Sequence, residues 1–190
     1  MPWIIDYPTV LEQMRAIGMR SLYYNGGAFG FAPDQPTRSL GWIGPPDESI
    51  RADVRELLHE VPAPYEQTLA ALLVRAWTGI LPGRIWVMPG SSWAYELDFG
   101  SRQWLPPLLE RIGIDPGMLQ TRTNASAIEF SPDQQDRLVA FAERLLEMLS
   151  GSDFYLAFPG RKTVAMLHHH KQIWWTSAEP QVLGALEALA

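Results

Sequence analysis

Cysteine is absent from this 190-residue sequence, and lysine occurs only twice, at Lys162 and Lys171. Without cysteine the chain has no disulfide, no thiolate metal ligand and no cysteine nucleophile. This composition fits a reducing compartment, and we expect a cytoplasmic protein. The opening residues, MPWIIDYP, also lack the basic start and the apolar run of a secretory signal peptide.

Charge and long apolar runs are scarce as well. Charged residues make up 19% of the chain and the formal net charge is −6, whereas a nucleic-acid surface needs clustered lysine and arginine. The longest apolar run, LAALLV at 69–74, is too short to span a bilayer. We therefore expect neither a nucleic-acid partner nor a membrane partner. The hydrophobic content of 47% excludes a largely disordered chain and favours one domain over residues 1–190.

The clearest architectural signal lies near the C-terminus. Phe154–Phe158, Lys162–His168 and Gln172–Thr176 are short runs rich in apolar and aromatic residues, as is typical of strands. Pro159-Gly160 suits a type II turn, because proline sets φ at the first corner and glycine accepts a positive φ at the second. A polar turn falls at His169–Lys171. We predict three consecutive antiparallel strands in a central position of a sheet, with apolar groups on both faces.

Helices are predicted where apolar residues recur at spacings of three and four. Pro132–Leu149 begins at a capping-box pair, Ser131 and Gln134, and carries the apolar stripe that includes Leu138, Phe141 and Leu145. Further helices are predicted over 47–59, with apolar residues at Ile50, Val54, Leu57 and Leu58, over 64–77, and from Pro180 onward.

The predicted class is α+β, in which helices cover a mainly antiparallel sheet. Besides the three C-terminal strands, Arg84–Met88 reads as a strand and Trp93–Phe99 alternates apolar with polar residues, so we predict a hairpin near 84–99. From Pro64 onward the order is helix, two strands, helices, three strands, helix. This order resembles that of roadblock-like and profilin-like domains, and the resemblance implies a fold rather than an activity.

Aromatic residues supply the first functional hypothesis. Gly26–Pro46, with five glycines and four prolines, is predicted to be a long irregular loop, and it contains Phe29, Phe31 and Trp42. Either these side chains seal one end of the core, or they form a groove with Trp174 and Trp175 of the last predicted strand. The second option makes the protein a non-catalytic module that binds a protein or a small molecule through an aromatic surface.

Histidines supply the alternative hypothesis. His168 and His170 share one face of an extended strand, and such a pair can bind zinc or another transition metal. A third ligand would come from elsewhere in the chain, with Glu96, Asp98 and Asp153 as the options. The competing interpretation is a polar hairpin turn with solvated imidazoles. The alternative function is thus a metal-assisted enzyme centred on His168 and His170; the sequence leaves any cofactor and the oligomeric state open.

Overall fold

A computed structural model of the chain describes residues 1–16, 22–25, 28–31, 55–88, 104–116, 127–148, 154–168 and 170–189. The strands are β1 (Trp3–Ile5), β2 (Leu22–Asn25), β3 (Ala28–Phe31), β4 (Arg55–Glu60), β5 (Ile85–Met88), β6 (Ala127–Phe130), β7 (Phe154–Ala157), β8 (Thr163–His168) and β9 (Gln172–Ser177). The helices are α1 (Tyr7–Ala16), α2 (Tyr65–Gly79), α3 (Leu105–Ile112), α4 (Gln135–Met148), which follows a 3-10 turn at Pro132–Gln134, and α5 (Pro180–Glu187).

Seven of these strands form one sheet in the order β1-β6-β5-β7-β8-β9-β4, while β2 and β3 pair with each other. Every pairing is antiparallel. The predicted α+β class with a mainly antiparallel sheet is therefore confirmed. The roadblock-like order is not confirmed, because α3 lies between β5 and β6, and β4, which precedes α2, pairs with the last strand.

The two faces of the sheet alternate residue by residue along each strand. One face, here called the core face, packs with the helices in a single hydrophobic cluster. Its members on the sheet are Ile85, Val87, Ile128, Phe130, Phe154, Leu156, Ala165, Leu167, Ile173 and Trp175. On the opposite face, here called the second face, Trp86, Met88, Val164 and Met166 are also buried. The central strands are thus buried on both faces, as their apolar composition predicts.

The three predicted C-terminal strands are present as β7, β8 and β9, each paired with the next. Between β7 and β8, the Arg161 amide donates a hydrogen bond to the Phe158 carbonyl over 2.8 Å. Gly160 has a φ of +84°, which is the backbone conformation that the second corner of a type II turn requires. Pro159-Gly160 therefore directs the chain back into the sheet.

The turn between β8 and β9 is tied to the helical layer. The Lys171 amide donates to the His168 carbonyl over 2.9 Å, and Lys171 itself has a φ of 65°. Its Nζ lies 3.0 Å from Oε1 of Glu66 on α2 and donates to the Leu146 carbonyl on α4. These contacts of Lys171 tie the turn to α2 and α4.

Helix α4 confirms the predicted amphipathic helix and its start. The Ser131 amide donates to Oε1 of Gln134 over 3.1 Å, as expected for a capping box. Leu138, Phe141 and Leu145 are buried in the hydrophobic cluster. The Phe141 ring lies 5.8 Å from that of Phe130 on β6, measured between centroids. The helix therefore packs on the core face of the sheet.

The predicted helix over 47–59 is wrong at its C-terminal end, where residues 55–60 form β4 and pair with β9. Leu57 and His59 lie on the core side, whereas Leu58 and Glu60 are exposed on the second face. Over so short a stretch, Leu57 and Leu58 are compatible with the apolar spacing of a helix as well as with that of a strand. Pairing with β9 selects the strand. Residues 47–54 lie outside the described residues.

Two further predictions are only partly covered by the described residues. Ala28–Phe31 is not irregular but forms β3 against β2, and the two glycines between these strands are typical of a hairpin; residues 32–46 lie outside the described residues. The second arm of the predicted hairpin, Trp93–Phe99, also lies outside them. Strand β5 pairs with β6 on one side and β7 on the other.

The packing of α4 makes a direct stability prediction. Leu145→Ala should lower the free energy of unfolding by about 2–5 kcal/mol, through lost transfer free energy and an unfilled cavity. Arg144→Ala, on the exposed side of the same helix, is the control and should cost less than about 1 kcal/mol. Urea denaturation measures both changes. If the two variants were equally stable, α4 would be packed on the sheet through a different side.

Candidate functional site

A partly exposed apolar pair lies on the second face at the β4 end of the sheet. Leu58 on β4 is directly opposite Trp174 on β9, and Trp174 is directly opposite Met166 on β8. Leu58 is 37% exposed and Trp174 is half-buried, whereas Met166 is buried. The alternation of the two strands thus brings an aliphatic and an aromatic side chain to the surface side by side.

Polar side chains lie beside this pair, two residues away along each strand. Glu60, Gln172 and His168 are cross-strand neighbours on β4, β9 and β8. We call the surface formed by Leu58, Glu60, His168, His170, Gln172 and Trp174 the Trp174 patch. The composition is an apolar centre with a polar border, which is the common arrangement of protein interfaces.

Hydrogen bonds fix the orientation of the Trp174 indole. Its Nε1 donates to Oε1 of Gln172 over 3.1 Å, and Nε2 of Gln172 donates to Oε1 of Glu60. The His168 ring lies on another side of the indole, with 6.4 Å between centroids and 55° between planes. A chain of contacts across three strands therefore holds the aromatic group in one position.

The two predicted metal ligands are close neighbours. The rings of His168 and His170 are 4.6 Å apart between centroids, although β8 ends at His168 and His170 lies in the turn. The His170 amide donates to Nδ1 of His168 over 3.1 Å, so a metal would be bound through Nε2 of His168. Among the described residues, no group of three or more histidine, aspartate and glutamate side chains could hold a metal ion. The metal site stays a prediction.

Trp175 is not part of the patch, contrary to its predicted place on an aromatic surface. Adjacent residues of a strand face opposite sides of the sheet, so Trp175 lies on the core face and is 0% exposed. Its ring stacks near Phe158, with 6.2 Å between centroids and 23° between planes. Trp175 is a core residue.

The other predicted site residues are not tested by this geometry. Phe29 and Phe31 belong to β3, whose side chains are not described, and Trp42 lies outside the described residues. The options for a third metal ligand, Glu96, Asp98 and Asp153, also lie outside them. The groove that would join the loop aromatics to the sheet therefore stays a prediction.

His59 is a buried histidine to which no pattern in the sequence assigns a role. It is 3% exposed, and its Nδ1 accepts a hydrogen bond from Nε1 of Trp175 over 3.0 Å. Because Nδ1 is the acceptor, the proton of the neutral ring resides on Nε2, close to the Leu186 backbone of α5 but without a well-formed hydrogen bond. Burial lowers the pKa of His59 below 6.5, and the weaker effect of the Leu186 backbone raises it.

A second unforeseen cluster surrounds Glu129 at the other end of the second face. Trp3, Glu129 and Trp86 are cross-strand neighbours on β1, β6 and β5. The Glu129 carboxylate is only 7% exposed; Oε2 accepts from Nε1 of Trp86 over 2.8 Å, and Oε1 accepts from Nε1 of Trp3 over 3.3 Å. Nη1 of Arg84 lies 3.3 Å from Oε2.

The surroundings of Glu129 explain how a carboxylate is accommodated on a buried sheet face. Two indole donors and one guanidinium compensate the loss of water, as buried charges require. The contacts join three neighbouring strands through one side chain. This arrangement is a structural link, and the alternation of Ala127, Ile128, Glu129 and Phe130 was the available sequence signal for it.

No protein-family model, no curated protein and no solved structure matches this chain. None of the helices that the structure describes is long and apolar enough to cross a membrane. The assignment of function consequently depends on the geometry of the Trp174 patch and of the two histidines beside it.

The buried position of His59 predicts a specific pH dependence of stability. Its folded pKa is depressed, so below pH 6.5 the unfolded chain binds a proton that the folded chain does not. This contribution to stability is complete above pH 6.5 and is lost as the pH falls through the interval down to the folded pKa. His59→Gln lacks the titrating group but keeps an acceptor for Trp175.

Urea denaturation of the wild type and His59→Gln between pH 8 and pH 5 measures this contribution. We expect the unfolding free energy of the wild type to decrease relative to that of His59→Gln as the pH falls below 6.5. A difference that stays constant over the whole range would contradict the neutral, buried state of His59.

Proposed function

We propose that this chain is a non-catalytic, cytoplasmic binding protein that contacts a partner protein through the Trp174 patch. The observation that carries the proposal is the exposure of Leu58 directly opposite Trp174, at the β4 end of a sheet whose central strands are buried on both faces. An aliphatic residue exposed beside an aromatic one gains free energy when a partner covers both.

The rigidity of the patch supports binding of a protein. Tryptophan contributes large contact area to interfaces, and binding costs less conformational entropy where its position is already set. Here Gln172 holds the indole nitrogen and Glu60 holds Gln172. The border residues offer carboxylate and imidazole groups for polar contacts with the partner. A contribution from Phe29, Phe31 and Trp42 would enlarge this surface.

Site-specific photo-crosslinking tests the proposal. A photoreactive phenylalanine analogue in place of Leu58 should form a crosslink to a discrete partner in cell extract. The same analogue in place of Tyr65, which is exposed at the start of α2, is the matched control and should not crosslink to that partner. Trp174→Ala should reduce the affinity of the purified partner at least about tenfold, as expected of a central interface aromatic.

The proposal would fail if both positions gave the same crosslinks, or if Trp174→Ala bound the partner as tightly as the wild type. Circular dichroism and thermal unfolding of each variant establish that the fold is retained. Since the indole is half-buried rather than part of the core cluster, we expect Trp174→Ala to fold.

A second function, a metal-assisted enzyme centred on His168 and His170, is favoured by the proximity of the two rings. Two imidazoles at 4.6 Å between centroids are close enough to share an ion. If they do, zinc should raise the melting temperature of the wild type, and His168→Ala and His170→Ala should each abolish that rise. His59→Gln, which changes a histidine on the opposite face, should keep it. An unchanged melting temperature on adding zinc or a chelator would count against the metal site.

A further inference from the structure

We propose that β4 accepts an extended segment of a partner as an additional strand, and that this segment presents an apolar side chain to Leu58 and a basic one to Glu60 on the second face. The proposal rests on the proposed function, because it specifies how a partner reaches the Trp174 patch. The partner is named by its chemistry, as a strand-forming segment with a cationic residue two positions from an apolar one.

The position of β4 provides the site for strand addition. Within the residues that the structure describes, β4 is the terminal strand of the seven-stranded sheet, next to β9. A terminal strand presents backbone N–H and C=O groups along its outer side, and an extended peptide can pair with them. Helix α5 packs against β4 and β9, with Leu186 beside His59 on the core side. The second face is where Leu58 remains exposed.

The sequence of β4 determines which side chains the added strand needs there. By the register with β9, Leu58 and Glu60 share the second face. They form an apolar–acidic pair, and both side chains are exposed. Directly opposed residues on neighbouring strands interact most strongly, and opposite charges are favoured over like charges. The complementary pair is therefore an apolar residue opposite Leu58 and a basic residue opposite Glu60.

A short peptide tests the proposal directly. The probe is a seven-residue, end-blocked peptide in which threonine alternates with lysine, valine and lysine. The first control replaces both lysines by glutamates, and the second keeps every side chain but is N-methylated on alternate backbone nitrogens. We expect the probe to bind, the acidic peptide to bind at least about tenfold more weakly, and the N-methylated peptide likewise, because it cannot complete the ladder.

A charge reversal in the protein provides the matching change. Glu60→Lys should lower the affinity for the basic peptide and raise the affinity for the acidic one. Glu110→Lys, on the exposed side of α3, should change neither affinity by more than about twofold. Amide hydrogen exchange locates the contact: every second amide of β4 should exchange rapidly in the free protein and become protected when the basic peptide is added.

Four outcomes would overturn strand addition. They are equal binding of the N-methylated peptide, no binding of the basic peptide, full protection of the β4 amides in the free protein, and a β4-dependent dimer in sedimentation. The first two outcomes would still allow a partner that binds through side chains alone. The crosslinks at position 58 detect such a partner independently. Failure of strand addition is in this way distinguished from failure of the Trp174 patch.

Discussion

The antiparallel register of the seven-stranded sheet is the constraint on which the other features depend. Because side chains alternate between faces with a period of two, each pairing determines which residues reach the helices and which reach the second face. A slip of one residue between β4 and β9 would bury Leu58 and expose His59. The hydrophobic cluster, the buried histidine and the Trp174 patch therefore share one cause.

The two faces have different roles. On the core face, the helices and the sheet enclose a continuous apolar cluster. Within this layer, the indole N–H of Trp175 donates a hydrogen bond to His59. On the second face, polar groups are admitted where specific donors satisfy them, as the indoles of Trp3 and Trp86 do for Glu129. At the β4 end of this face, polar side chains border Leu58, which is exposed, and Trp174, which is half-buried.

Local sequence signals predicted those parts of the fold whose determinants are close together in the chain. The Pro159-Gly160 turn, the capping box before α4 and the aromatic runs of β7 to β9 each depend on residues within a few positions of one another, and all are present in the structure. The β4 strand was missed because Leu57 and Leu58 also fit a helical stripe. Its strand conformation depends on β9, more than 110 residues later, and no local pattern contains that information.

The candidate site was predictable only in part for the same reason. The sequence identified Trp174, His168 and His170, which lie on or beside one turn. It missed Leu58 and Glu60, which reach the patch only through the pairing of β4, and it included Trp175, which alternation places on the opposite face. Likewise, the Trp3–Glu129 contact spans 126 residues and arises from the pairing of β1 with β6.

Disulfide trapping of the β4–β9 register tests this account most directly, and the absence of native cysteine gives it a clean background. Directly opposed residues of an antiparallel pair have Cα atoms about 4.5–5.5 Å apart, a separation that a disulfide can bridge. The double variant Leu58→Cys with Trp174→Cys should therefore form an intramolecular disulfide on mild oxidation. The double variant Leu58→Cys with Ile173→Cys, whose side chains lie on opposite faces, should remain reduced. Oxidation of the second pair, or failure of the first, would contradict the register on which the core face, the second face and the Trp174 patch all depend.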